Sequence, residues 1–182
     1  MKKMKLSLLA VALMVATAAS AQVSFGIQGG VNLSNITPDN NPKVGFNVGL
    51  LTDFGLTHNM GIRSGLSFTT KGACLRLWGG NSRITLQYLQ IPVHFAYKVD
   101  VTPGTRVVFQ GGPYAAFGIG NHFGNEDDRY NPFDFGLGIG VGFEFGRFLT
   151  GIGWDMGLLT ISNVDSVAEK NQNAHLTVGF RF

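Results

Sequence analysis

Several side chains of this 182-residue chain could form a hydrolytic triad. Such a triad needs a nucleophile, a base within hydrogen-bond reach and an acid that orients the base. The residues that suit these roles are His122 or His175 as base, Ser162 or Ser166 as nucleophile, and Asp127 as acid. Their spacing does not require this arrangement, because a triad is defined by its geometry in space. We therefore predict no catalytic residues and a protein that is not an enzyme.

Two further motifs suggest ligands, but each has a simpler explanation. The acidic run at residues 126–128 would suit a hard cation, since such ions take oxygen ligands. It lacks the ligand spacing of an EF-hand loop, and an exposed acidic loop explains it better. The alternate glycines at residues 136–142 lack the G-x-G-x-x-G spacing of a nucleotide site, and no helical pattern follows them. We therefore expect no metal ion and no cofactor.

The element that would position these side chains is clearest at residues 133–145, which read FDFGLGIGVGFEF. Phenylalanine and aliphatic residues occupy one parity, and glycine, Asp134 and Glu144 occupy the other. Successive side chains of a strand point to opposite faces, whereas a helix would scatter both sets and be weakened by the glycines. The pattern predicts a strand with one large apolar face and one small or acidic face.

The same alternation recurs along the chain and predicts eight strands. They cover residues 23–33, 44–54, 60–71, 83–99, 105–118, 133–145, 148–159 and 175–182. The connections alternate between long and short, and the long ones are residues 34–42, 72–82, 119–132 and 160–172. Helical patterns are absent after residue 21, so the chain is predicted to be all-β.

The predicted fourth strand contains a change of phase. Ile84 and Leu86 follow one parity, whereas the apolar residues from Leu89 to Tyr97 follow the other. An extra residue in a β-bulge shifts the phase by one position, so we expect a bulge at residues 87–89. Pro92 cannot donate a ladder hydrogen bond and marks a local irregularity in the same strand.

Residues 1–21 have the features of a cleaved secretory signal peptide. Three lysines precede a short apolar run, and Ala-Ser-Ala at positions 19–21 is a small-residue cleavage site. Cleavage before Gln22 would leave one domain, residues 22–182, with 11 basic and 11 acidic side chains. This balance, without a cluster of lysine and arginine, argues against a nucleic-acid partner. Cys74 is the only cysteine, which excludes an intrachain disulfide.

Eight meandering strands can close either as a soluble lipocalin-type barrel or as a membrane barrel. The smaller face of these strands is mostly Gly, Ser, Asn and Gln, which makes a poor exterior in water but suits a narrow interior. Scattered charges on that face can pair inside the barrel and would be costly in lipid. These charges are Asp134, Glu144, Asp155, Arg63, Arg106 and Arg181. The sequence predicts an eight-stranded antiparallel up-and-down transmembrane β-barrel with short periplasmic turns and longer external loops.

Membrane barrels also carry girdles of aromatic residues at both membrane interfaces. Six aromatic residues are expected there, namely Trp78, Trp154, Tyr88, Tyr97, Tyr114 and Tyr130. Within the strand at residues 133–145, Asp134 is expected near the outer end and Glu144 near the periplasmic end.

Five stretches carry a resemblance to a known family, namely FGIQGGVNLS at residues 25–34, YLQIP at 88–92, GGPYAAFGIG at 111–120, DFGLGIGVGFEF at 134–145 and LTVGFRF at 176–182. In this order they resemble the PorT-like outer-membrane β-barrel family of Bacteroidetes. The last stretch also resembles the C-terminal signal by which bacterial outer-membrane barrels are recognised for insertion, although Thr177 stands where that signal usually has glycine. The resemblance implies a small outer-membrane barrel, mostly of unknown function, and one family member is linked to protein secretion.

These observations lead us to expect a small, non-enzymatic protein of the cell outer membrane with a structural, adhesive or accessory role. An accessory barrel of a protein secretion system is the alternative, and a lipid-modifying barrel enzyme is a third. The expected partners are outer-membrane lipid and lipopolysaccharide, the barrel-insertion machinery during assembly, and secretion-system or surface proteins. A wide diffusion pore is not expected, because such pores need about 16–18 strands.

Overall fold

The computed structural model describes residues 22–37, 42–77, 80–119, 132–159 and 170–182. The predicted signal peptide lies outside the described residues. The chain forms eight strands in the order β1 Gln22–Thr37, β2 Lys43–Gly55, β3 Met60–Leu77, β4 Gly80–Thr102, β5 Thr105–Ile119, β6 Phe133–Phe145, β7 Phe148–Gly157 and β8 Lys170–Arg181. Each strand pairs antiparallel with the next, and β8 pairs with β1 to close a barrel. The predicted fold class is therefore confirmed.

Closure depends on a long seam between the first and last strands. β1 pairs with β8 from Gly26 opposite Arg181 to Thr37 opposite Lys170. Gly30 lies within this seam, where an added Cβ would collide with the backbone carbonyl of Leu176. The seam removes the two free edges that an open sheet would have, and such edges are costly in hydrocarbon because lipid cannot hydrogen-bond to free backbone groups.

The two faces of the barrel follow the predicted parity. Along β6 the phenylalanine and aliphatic side chains are exposed on the outside, and the centrally placed Ile139 is 67 % exposed. Asp134 and Glu144 on the opposite parity are buried inside the barrel. The outward residues of the other strands are also large and apolar, including Phe25 of β1 and Val44 of β2. The barrel therefore has an apolar exterior and a polar interior.

β3 and β4 are longer than the sequence pattern predicts. Residues 72–82 are predicted to be a loop because of their turn-forming glycines, but the ladder continues from Gly72 opposite Thr85 to Leu77 opposite Gly80. β8 likewise begins at Lys170 rather than at residue 175. In both cases backbone hydrogen bonds to the neighbouring strand extend the pairing, through a glycine-containing stretch in β3 and β4 and through polar sequence in β8.

The predicted bulge at residues 87–89 is wrong. β4 and β5 keep one register from Gln87 opposite Ile119 to Asp100 opposite Arg106, and the register shifts only between Asp100 and Thr102. The apparent change of phase arises because Leu86 points into the barrel and is completely buried.

The expected irregularity at Pro92 is present as a break in pairing. The ladder between β3 and β4 passes from Ser64 opposite Val93 to Ser67 opposite Gln90, without pairs at the two positions between. The register is unchanged across this break. Ser64 Oγ donates to the Pro92 carbonyl at 2.8 Å, which occupies one backbone acceptor at the interrupted site.

None of the described residues belongs to a helix that is long and apolar enough to cross a membrane.

Candidate functional site in the barrel interior

Five charged side chains fill the interior near the short turns and form the turn-end cluster. Its members are Asp53, Arg63, Lys98, Glu144 and Arg181. Arg63 Nη2 lies 2.9 Å from Asp53 Oδ2 and 2.6 Å from Glu144 Oε1. Lys98 Nζ lies 2.6 Å from the same Asp53 oxygen and 3.6 Å from Glu144 Oε1. Arg181 Nη1 donates to Glu144 Oε2 at 3.2 Å.

The turn-end cluster compensates the cost of burying its two carboxylates. Asp53 and Glu144 are each only 2 % exposed, and each contacts at least two of the three cations. A buried charge is tolerated when it is paired in this way. The sequence predicts that its inward charges pair inside the barrel, and Glu144 does so with Arg63 and Arg181. Asp53 and Lys98 are absent from the prediction, although both lie on the inward parity of their strands.

Arg106 and Asp155, two of the charges predicted for the interior, have partners outside the turn-end cluster. Arg106 Nε donates to Asp100 Oδ1 at 2.8 Å, and both side chains lie at the partly exposed rim of the turn end. His58 Nε2 lies 2.8 Å from the second Asp100 oxygen. Asp155 lies deeper in the barrel, where it accepts from Gln90 Nε2 at 3.1 Å. Pairing of Arg106 within the interior is therefore not observed.

A second group, the loop-end cluster, closes the interior near the long connections. It consists of Lys71, Tyr88, Tyr114, Asp134 and Asn171. Lys71 Nζ lies 3.6 Å from Asp134 Oδ2, and 4.6 Å and 5.4 Å from the ring centroids of Tyr114 and Tyr88. Asn171 Nδ2 and the Tyr114 hydroxyl donate to Asp134 Oδ2 at 2.9 Å and 3.3 Å. The ammonium is thus held by a carboxylate and by two aromatic faces.

Glycine in a neighbouring strand makes room for the loop-end cluster. A Cβ at Gly136 would lie 2.6 Å from both Cε1 and the hydroxyl oxygen of Tyr114. The expectation that Tyr88 and Tyr114 lie at the membrane interfaces is wrong, because both are buried inside. Trp154 and Tyr97 lie on the outer face. The other two candidates for the aromatic girdles, Trp78 and Tyr130, lie outside the described side chains.

Between the two clusters lies a polar cavity of about 70 Å³. Gln90, His94, Asp155 and His175 are among its lining side chains. His175 Nδ1 lies 3.7 Å from Asp155 Oδ2. His175 lies in the middle of β8, opposite Gly153 of β7. The predicted strand at residues 175–182 would have placed His175 at the outer end of the last strand, which is wrong.

The cavity does not bring a nucleophile to His175 among the described residues. Ser67 Oγ donates to the Gln90 carbonyl at 3.3 Å, and Thr177 Oγ1 donates to the Gly151 carbonyl at 3.4 Å. The third hydroxyl that lines the cavity, on Thr69, accepts from Asn32 Nδ2 at 2.7 Å.

The other triad candidates, namely His122, Ser162, Ser166 and Asp127, lie outside the described residues. The acidic run at residues 126–128 lies outside them as well. Within the part of the chain that the structure describes, no group of three or more His, Cys, Asp or Glu side chains could hold a metal ion.

Comparison with known proteins agrees with this architecture. Residues 16–163 match the profile of a family described as "Outer membrane protein beta-barrel domain". The chain is similar to the outer membrane enzyme PagL, with 12 % identity, a TM-score of 0.57, and coverage of 85 % of this chain and 98 % of that one. It is also similar to Neisserial surface protein A, with 12 % identity, a TM-score of 0.55, and coverage of 88 % of this chain and 99 % of that one. The outer membrane protein OprG from Pseudomonas aeruginosa is similar as well, with 12 % identity, a TM-score of 0.52, and coverage of 89 % of this chain and 97 % of that one. A sequence search of the curated proteins gave no match.

Proposed function

Because this chain belongs to the family of outer membrane protein beta-barrel domains, we propose that it is a non-enzymatic barrel with a structural, adhesive or accessory role. The family places the protein in the outer membrane, where its apolar exterior contacts lipid. We also expect residues 1–21 to be removed on export. The observation that carries the proposal is the filled interior.

The interior is obstructed at two levels. The turn-end cluster spans the barrel at one end through contacts among side chains of β2, β3, β4, β6 and β8. The loop-end cluster spans the other end, and its Lys71, Tyr88 and Tyr114 side chains are almost completely buried. The cavity of about 70 Å³ between them has room for only a few water molecules. The interior therefore supports the wall, and recognition would fall to the loops outside the membrane.

The polar cavity also favours a non-enzymatic role. Its volume is far below the roughly 300–1,000 Å³ of ordinary ligand pockets, so an acyl chain or a sugar would not fit inside it. The three hydroxyls that line it hydrogen-bond to backbone carbonyls or to an asparagine, and not to His175. The Asp155–His175 contact is thus better explained as packing of polar groups inside the barrel than as half of a triad.

The filled interior predicts a barrel that does not conduct ions. Purified protein reconstituted into a planar lipid bilayer is expected to give no discrete conductance steps, because the buried side chains of the two clusters obstruct the interior. A 16-stranded porin in the same bilayer serves as the positive control. Reproducible single-channel steps from the folded, heat-modifiable form would contradict the proposal and assign the protein to transport.

The resemblance to PorT-like barrels motivates a second candidate, an accessory role in protein secretion. The fold also occurs in an outer membrane enzyme, PagL, so the lipid-modifying enzyme considered from the sequence stays as the third candidate. A strain lacking this protein is expected to secrete its surface proteins normally and to show an unchanged lipid A mass spectrum. Retention of surface proteins in the periplasm would favour the secretion role. A change in acylation of lipid A would favour the enzyme.

A further inference from the structure

A cavity of about 550 Å³ lies at the turn end of the barrel, and we refer to it as the mouth cavity. It is bordered by the turn between β4 and β5 and by Gly146 of the turn between β6 and β7. Its charged lining consists of Asp100, Arg106, Glu144 and Arg181. It lies at the end of the barrel that we expect to face the periplasm. Its volume is within the range of ordinary small-ligand pockets.

The permanent charges that line the mouth cavity balance, two arginines against two carboxylates, but the turn-end cluster behind this lining is positive. The turn-end cluster has three cations and two carboxylates, a surplus of one positive charge. The pair of Arg106 and Asp100 at the rim adds one charge of each sign and leaves this surplus unchanged. His58, which also lines the cavity, adds a further positive charge when it is protonated. A ligand with a single negative charge would neutralise the permanent surplus.

Arg106 provides the donors for such a ligand. Its Nε is occupied by Asp100, which orients the guanidinium. Among the described residues, neither Nη atom of Arg106 has a hydrogen-bond partner. Arg181, by contrast, uses Nη1 for Glu144 at 3.2 Å and Nη2 for the Gly146 carbonyl at 3.0 Å. Two free N–H groups on one planar guanidinium match the two oxygens of a carboxylate.

We propose that the mouth cavity binds a carboxylate, with the guanidinium of Arg106 as its anchor. The single surplus charge favours a monoanionic carboxylate over a phosphate monoester, which carries nearly two charges. The site lies at the turn-end rim of the barrel, where the Asp100 and Arg106 side chains are partly exposed to water. The carboxylate therefore belongs to a water-borne ligand, either the C-terminus of a peptide or a free small acid.

The test is isothermal titration calorimetry on the full-length protein purified from outer membranes in detergent micelles. The probes are N-acetylated trialanine with a free carboxylate, the same peptide as a C-terminal amide, acetate, and inorganic phosphate. The free carboxylate is expected to bind at least about tenfold more tightly than the amide, since a charge-assisted pair is lost in the amide. If the free peptide binds more tightly than acetate, the ligand is the C-terminus of a peptide. If the peptide and acetate bind with equal affinity, the ligand is a free small acid.

Two arginines of the same barrel end make a matched pair of variants. Arg106→Gln is expected to weaken binding of the free peptide about tenfold or more. Arg147→Gln removes the same charge from an exposed side chain that does not line the mouth cavity, and is expected to leave binding unchanged. Arg106→Lys keeps the charge but loses the two-pronged donor, and should also weaken binding.

The proposal is overturned if the amide binds as well as the acid, if no probe binds, or if phosphate binds more tightly than both carboxylates. Equal binding by Arg106→Gln and Arg147→Gln would overturn it as well. Heat-modifiable migration of each variant on a gel establishes that the barrel is folded. If Arg106→Gln does not fold, the comparison of Arg106→Lys with Arg147→Gln decides the question by the same criterion.

Discussion

Replacement of Glu144 by glutamine is expected to lower the free energy of unfolding by about 3–5 kcal/mol. Glu144 is 2 % exposed and contacts Arg63, Lys98 and Arg181. The glutamine side chain has nearly the same volume, so the variant removes a charge without opening a cavity. It leaves three buried cations with Asp53 as their only carboxylate in the turn-end cluster. Urea unfolding of the barrel in lipid vesicles, followed by tryptophan fluorescence, measures the loss.

Asp100→Asn provides the control for this prediction. Asp100 is also a carboxylate with basic partners, but it is exposed at the rim, where solvent screens its ion pairs. This variant is expected to leave the free energy of unfolding nearly unchanged. If Glu144→Gln is as stable as Asp100→Asn, the interior charges do not hold the barrel together in the way the contacts indicate.

Replacement of Ile139 by arginine is expected to destabilise the membrane-inserted barrel by about 2–4 kcal/mol. Ile139 lies at the centre of β6 and is 67 % exposed on the outer face. A charge at the bilayer midplane loses its hydration, and this cost falls toward the interfaces. Val44 lies near the beginning of β2 and is 70 % exposed on the same face. Val44→Arg is therefore expected to cost only about 0–1 kcal/mol.

The same urea unfolding measurement in vesicles compares these two arginine variants. Both positions are exposed aliphatic residues, so the comparison isolates depth in the membrane. Equal losses at the two positions would show that Ile139 does not lie near the bilayer centre. A larger loss for Val44→Arg would mean that the apolar band is displaced toward the long connections.

The fold could be predicted from the sequence because its main determinant is local. Alternation with a period of two is visible in a single stretch, and the bounds of β6 are the same in the sequence pattern and in the structure. Leu86 and Tyr88 show where this rule fails. Both are large and inward-facing, and the interior space that they enter is shared with side chains of other strands, such as Lys71 of β3 over the Tyr88 ring. Sequence alternation in β4 alone contains no information about that space.

The interior contacts were less predictable than the fold for a related reason. Parity identifies the inward face of a strand, so Asp53, Lys71 and Lys98 could have been recognised as interior residues. Which of them meet depends on the stagger of the strands around the barrel. Asp134 and Glu144 lie on one strand and face one interior, yet they join separate clusters at opposite ends. Only the register of all eight strands determines those partners.

The seam between β1 and β8 also has a consequence for how the protein is made. It joins residues from the two ends of the folded chain, such as Gly26 and Arg181, so the barrel cannot close until the last strand has been synthesised. Contacts this distant in sequence form slowly, because a long loop must close before they contribute. Until then the unpaired edges of β1 and β7 are open to pairing with other chains. A newly exported chain therefore depends on being kept apart from its copies until insertion completes the ring.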